Sequence, residues 1–214
     1  MKRILFLSLS AALLLTACEK ESLGISTITT YPTVEVVGDQ AQTILVGGTF
    51  TDQGCIAMEG PLDITSKVVV TGSVDPTTPG VYTITYTVAN KDGFTAFNRR
   101  CIGVIDATAA AMDISGVYKR NAGAFGLATV VKTTYPGLYR NNNPGGIVIN
   151  STGSNAVNIY MFHWTATKVG APTQSSEVGD FACTSGSYND VTKTYKWTCI
   201  NPTYGASART FIKQ

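Results

Sequence analysis

The run Val81-Tyr82-Thr83-Ile84-Thr85-Tyr86-Thr87-Val88 alternates without a break. Val81, Thr83, Thr85 and Thr87 share one face, and Tyr82, Ile84, Tyr86 and Val88 share the other. Successive strand side chains point to opposite faces, so this segment is predicted to bury its Tyr/Ile/Tyr/Val face and wet its threonines. Turn signals bracket it. Asp75-Pro76-Thr77-Thr78-Pro79-Gly80 lies ahead, and Asn90-Lys91-Asp92-Gly93 follows with Asp-Gly at a hairpin tip. Residues 33–37 and 67–71 read as further strands, Gly47-Gly48 marks another turn, and a last strand carries Arg99, Cys101, Gly103 and Ile105. Short strands parted by turns about every ten residues predict a β-sandwich over residues 33–106.

A second β-rich unit, residues 107–214, begins at the small-residue joint Ala107-Thr108-Ala109-Ala110-Ala111. Strands are expected near 117–120, 128–133, 137–140, 147–150, 156–167, 179–184, 193–200 and 208–213, with a loop running through Pro172. Segments 179–184 and 193–200 read as a hairpin turning near Val191, which sets Cys183 opposite Cys199. A barrel and a sandwich fit this unit equally well.

The first 17 residues follow another pattern. Lys2 and Arg3 precede an apolar run from Ile4 to Leu15, and Thr16-Ala17-Cys18 closes it. A basic start, a short apolar stretch and a small residue before the cut describe a secretory signal peptide. The run is shorter than the roughly 20 residues that a membrane span needs. Leu15-Thr16-Ala17-Cys18 resembles the lipobox of bacterial lipoproteins, which implies that Cys18 becomes the acylated first residue of the mature chain. Residues 18–32 then form a polar tether. Without Lys2 and Arg3 the chain holds 16 − 2 = 14 basic residues against 14 acidic ones, scattered with no basic run longer than two, so it has no electrostatic footprint for nucleic acid. Cys55, Cys101, Cys183 and Cys199 remain beside Cys18, an even number suited to two disulfides in an exported protein. With no C-x-x-C pair and a single histidine, neither a metal site nor a cofactor is expected.

Asp63-Ile64-Thr65-Ser66-Lys67-Val68, Val70-Thr71-Gly72-Ser73-Val74-Asp75 and Pro79-Gly80-Val81-Tyr82-Thr83-Ile84-Thr85-Tyr86 resemble the bacterial Ig-like domain found in pesticidal-crystal-like proteins and in Bacteroidetes surface lipoproteins. Glu19 and Glu21 are similar to the acidic signal that follows the lipid site in exported members of that class. The resemblance implies an all-β chain: an N-terminal Ig-like β-sandwich followed by a C-terminal antiparallel β-barrel or sandwich. It also implies lipid anchorage at the outer membrane, facing the cell surface. Cys55 and Cys101 depart from the family pattern; either they bridge an early strand to the last one, or they are two separate buried thiols.

Catalysis has little to work with. His163 is the sole histidine and lies on the Val157/Ile159/Met161 face of its strand, a position that suits core packing better than a Ser-His-Asp or Cys-His arrangement. Asp106, Asp113, Glu177, Asp180 and Asp190 read as loop and turn acids, so the chain is expected not to be an enzyme. Aromatics point to binding instead. Both tryptophans and seven of the ten tyrosines lie beyond Ala111. Tyr160, Phe162 and Trp164 fall on one face of segment 156–167, opposite the aliphatic one. If that aliphatic face is core, three aromatics in line are left nearer the surface. Tyr139, Arg140, Tyr160, Trp164 and Trp197, with the loop Asn141-Asn142-Asn143, are therefore the candidate glycan-binding residues: rings to stack sugars and polar groups for hydroxyls. The alternative is that the same rings fill the barrel. The resemblance implies a non-catalytic glycan-binding or accessory component of a polysaccharide-uptake system, working with an outer-membrane transporter complex. A structural, adhesin-like interaction module is the second reading.

Overall fold

The structure is a computed structural model that describes residues 29–123, 126–148, 156–202 and 204–214. The leader 1–17, Cys18 and most of the tether lie outside the described residues. One sheet joins β1 (Pro32–Val36), β3 (Cys55–Glu59) and β4 (Leu62–Asp63). The facing sheet runs in the order β2 (Ala41–Leu45), β7 (Thr95–Ile105), β6 (Gly80–Ala89) and β5 (Val69–Thr71), with β2 parallel to β7. The alternating run is β6, and Ile84, Tyr86 and Val88 are buried against Val34, Val36, Ala57 and Ile64. Its other face departs from expectation. Val81, Thr83, Thr85 and Thr87 are half-buried rather than wet, and Val81 at the start of that face packs against the second unit.

β7 is covered on both faces, and Arg100 is fully buried within the sandwich. Its Nη2 donates to Val37 O at 2.6 Å and Gly54 O at 3.1 Å, and Nη1 donates to Asp39 O at 2.8 Å. Nε lies 3.1 Å from Asp52 Oδ1 and 3.3 Å from the Tyr86 hydroxyl, which itself donates to Asp52. A planar five-donor fork suits several acceptors at once, and here it ties two loops to the sheet. Burial, with the Asp52 carboxylate behind it, pushes the Tyr86 phenol up to about 12.

The second unit is a closed barrel of β8 (Gly116–Arg120), β9 (Leu127–Lys132), β10 (Leu138–Asn141), β11 (Ile159–Thr165), β12 (Lys168–Ser176), β13 (Gly179–Asn189), β14 (Thr194–Ile200) and β15 (Ala208–Lys213). Each strand pairs antiparallel with its chain neighbour, and β15 closes on β8 through Phe211↔Arg120, Ile212↔Lys119 and Lys213↔Tyr118. Closure leaves no free sheet edge. β12 occupies the stretch expected to be a loop. Pro172 sits where the β12–β13 register shifts between Ala171 and Gln174, a bulge where a residue without an N–H is tolerated. The strand expected at 147–150 is absent at Ile147 and Val148, and the rest of that segment lies outside the described residues.

A short helix, α1 (Ala107–Ala111), replaces the expected joint, with Asp106 Oδ1 accepting from Ala109 N at its start. Sandwich and barrel meet face to face. Ala41 and Cys101 pack against Leu138 and Phe162, flanked by Val81, Tyr135, Tyr160 and Trp164. A Cβ at Gly103 would stand 2.7 Å from Phe162 Cδ1, so the missing side chain is what admits the ring. Polar ties cross the same seam: Thr43 Oγ1 to Pro136 O at 2.7 Å, Asp106 N to Trp164 O at 3.0 Å, and the Tyr135 hydroxyl to Asp39 at 2.5 Å.

The seam also settles one cysteine pair. Cys101 faces the barrel, whereas Cys55 packs with Ile84, Tyr86 and Ile102 in the sandwich core, on the other side of β7. The expected Cys55–Cys101 bridge is therefore excluded by strand alternation, and both are free thiols. Cys183 does face Cys199 in the β13–β14 ladder, with sulfurs 3.8 Å apart as thiols. Mild oxidation of the folded chain is expected to link Cys183 to Cys199 and to leave Cys55 and Cys101 unlinked, read by non-reducing peptide mapping.

Candidate functional site

β11 sets the problem. Val157 ahead of it, then Ile159, Met161 and His163, turn into the barrel, where the first three join the core. Tyr160, Phe162 and Trp164 consequently turn outward, and the sandwich covers them: Phe162 completely, Tyr160 and Trp164 in part. Most of the aromatic stripe is thus a domain-docking surface.

Two of the five candidate residues are interior. Tyr139 is buried in the barrel, its hydroxyl donating to Met112 O and accepting from Ile114 N. Trp197 donates from Nε1 to Pro144 O at 3.0 Å and packs edge-on against Tyr195, which stacks on Phe211 at 4.6 Å. Neither ring offers a face to a ligand, because closing the barrel needs large side chains to fill it. The asparagine loop is inward-directed too. Asn141 Nδ2 donates to the Tyr195 hydroxyl, Asn143 Nδ2 to Leu127 O and Ile147 O, and Asn142 Oδ1 accepts from Thr129 N. These amides stabilise a turn rather than wait for sugar hydroxyls.

Tyr160 and Arg140 do come together. The Arg140 guanidinium lies over the Tyr160 ring, 4.0 Å from its centroid, on the barrel side of the seam. Tyr160 is held in place by Gln174. The Phe162↔Gly170 register puts Pro172 across from Tyr160, and proline has no N–H to give. Gln174 Oε1 accepts from Tyr160 N at 2.7 Å and Nε2 donates to Tyr160 O at 2.9 Å, replacing the ladder bonds.

The sandwich supplies a matching pair from β7. Phe97 is 53 % exposed and carries the Arg99 guanidinium 4.6 Å from its centroid. Arg99 Nη1 also bonds Asp180 Oδ2 across the seam at 3.0 Å. Gln40, Asn98, Cys101, Gln174 and Ser175 complete the walls between Phe97 and Tyr160. The closed part of this groove holds only about 30 Å³, room for a water molecule, so a larger ligand has to lie across the rim. Phe97 and Ser175 are exposed at that rim, and Arg140, outside the lining, is exposed over the Tyr160 ring. Sequence reasoning missed Phe97, although period-2 alternation puts it on the same face as Arg99 and Cys101.

His163 is fully buried, its ring edge-on to Tyr188 at 5.4 Å, and no side chain is hydrogen-bonded to either ring nitrogen. Burial holds its pKa below the ordinary 6.5, against weaker opposite pulls from the Ala166 backbone, Asp106 and Asp190. A depressed histidine pKa means the unfolded chain binds more protons, so its contribution to stability is present above pH 6.5 and is lost as pH falls through the folded value. Denaturant melts between pH 7.5 and 5 are expected to show that loss, and His163→Phe to flatten it. Among the described residues no group of three or more His, Cys, Asp or Glu side chains could hold a metal ion. No helix among them is long and apolar enough to cross a membrane.

Comparison with known proteins bears on each half differently. The family model described as "Bacterial surface protein, Ig-like domain" matches residues 34–104. No curated protein matches the chain. A lipoprotein of Bacteroides thetaiotaomicron is 26 % identical, over 86 % of this chain and 100 % of its own, with a TM-score of 0.39. Two structures of the Clostridium perfringens protein ZmpB also match. One, its M60 catalytic domain with two CBM51 domains, is 14 % identical over 85 % of this chain and 21 % of its own, TM-score 0.29. The other, CBM51-2 in complex with GlcNAc together with INT domains, is 13 % identical over 85 % and 43 %, TM-score 0.30. The sheets around β6 and β7 and the matched residues agree: residues 34–104 are a bacterial surface Ig-like domain, carried ahead of a closed β-barrel.

Proposed function

We propose that this chain is a non-catalytic accessory protein of the bacterial cell surface, lipid-anchored through Cys18, that holds a glycan strand across the groove between its Ig-like domain and its barrel. The observation carrying the reading is that each domain brings one aromatic ring to the groove, Phe97 and Tyr160, with Arg99 beside the first in the groove wall and Arg140 over the second from outside it. Sugar C–H faces stack on such rings, while guanidinium and amide groups bond hydroxyls. A surface module also gains from rigid docking, since a groove shared by two domains exists only while the domains stay together. His163 argues for a non-catalytic role: the one imidazole available as a general base is sealed in the barrel and bonded to no serine, cysteine or carboxylate. A polysaccharide-uptake complex with an outer-membrane transporter is the setting in which such a protein would act.

Intrinsic fluorescence of the soluble chain from residue 19 onward, titrated with soluble polysaccharides, tests this reading. Trp164 is partly buried at the seam and Trp197 is buried in the barrel. A bound glycan is expected to shift the Trp164 emission saturably, and Trp164→Phe to abolish the signal. A flat response to every polysaccharide would favour the adhesin-like interaction module instead.

A further inference from the structure

A separate hollow lies at one end of the barrel, about 400 Å³ in volume, lined by Thr108, Met112, Ala166, Thr167, Tyr188 and Asp190 with Asn189 beside them. It is of ligand size, and barrel mouths are frequent binding places. Three separate pieces of chain build it: helix α1 and its end, the β11–β12 turn, and the end of β13. We propose that this hollow is a second binding site, independent of the groove, for one neutral, hydroxyl-rich ring of monosaccharide size.

The lining selects that chemistry. Asp190 is the only acid in it, and its Oδ1 is already shared by Lys193 Nζ at 2.5 Å and the Tyr188 hydroxyl at 3.3 Å. The Lys193 partner holds the carboxyl below its ordinary value and offsets its charge, so a cationic ligand gains little. Oδ2 remains as an acceptor for ligand hydroxyls, with Thr108, Thr167 and the Asn189 amide able to donate. Met112, Ala166 and the Tyr188 ring supply the apolar surface on which ring C–H groups rest. Behind this wall the buried His163 ring packs edge-on against Tyr188. Contact with Tyr188 makes the His163 ring a reporter of what enters the hollow.

D-glucose, D-galactose and D-mannose are the probes, titrated into the soluble chain from residue 19 onward while the His163 ring is followed by NMR. At least one sugar is expected to bind saturably and shift the His163 resonances. Asp190→Asn should weaken that binding at least tenfold, and Thr108→Trp, which fills the mouth from an exposed position, should abolish it. Phe97→Ala should leave it unchanged, which separates this site from the groove. Failure of all three sugars to bind, or binding indifferent to both Asp190→Asn and Thr108→Trp, would overturn the proposal.

Discussion

Replacing Arg100 with methionine is expected to cost the chain about 3–5 kcal/mol, the range for breaking a buried, multiply bonded ion pair. The methionine fills most of the same volume but removes the donor to the carbonyls of Val37 and Asp39, leaves Gly54 O with only its bond from Val37 N, and leaves Asp52 without its cation. Asp52 keeps some contact with water, so the larger share of the loss comes from the carbonyls. For a chain of this size the melting temperature should fall by roughly 10 °C. Arg99→Met is the control one residue away. Its pair with Asp180 is exposed enough that the change should stay within about 1 kcal/mol. Equal losses from the two arginines would contradict the role assigned to Arg100.

Phe162→Ala is the second large effect. The ring has no exposed surface, and it fills the gap left by Gly103 between Leu138, Ala41 and Cys101. Truncation of such a ring costs about 3–5 kcal/mol. The loss falls on the seam and not on either domain's own core. Trp164 emission should therefore move to the red as the seam loosens, while Trp197, locked among Tyr195 and Phe211, stays as it is. A variant that melts early with Trp164 unchanged would place Phe162 in a different role.

Phe162 also shows how far the residues alone could be read. Alternation in 156–167 separated an aliphatic face from an aromatic one but left open which is core; in the structure the aliphatic side chains go into the barrel and the aromatic ones go out. Periodicity does not say what lies over an outward face, and here it is another domain. Val81 of β6 is covered in the same way from the opposite side of the seam. The Cys183–Cys199 register was legible because a local hairpin fixes it. β12 was not, since Lys168-Val169-Gly170-Ala171-Pro172-Thr173-Gln174 lacks alternation and contains a proline that only the bulge accommodates. Arg100 was hidden by its neighbour: in Arg99-Arg100 one side chain must face each way, and composition cannot say which is buried. Tyr139 and Trp197 were drawn as binding residues, yet a closed eight-stranded barrel needs bulky interior rings. Half of the groove escaped notice because Phe97 and Arg99 lie in the other domain.

The composite groove is tested most directly by calorimetric titration of the soluble chain with the polysaccharide that shifts Trp164 emission, repeated on Phe97→Ala. Phe97 is half-exposed and belongs to the Ig-like domain, so its truncation should leave melting within about 1 kcal/mol of the parent. A groove shared by both domains predicts at least a tenfold loss of affinity with the fold intact. Unchanged affinity in that variant would contradict it, and would mean that the glycan never touches the Ig-like side of the seam.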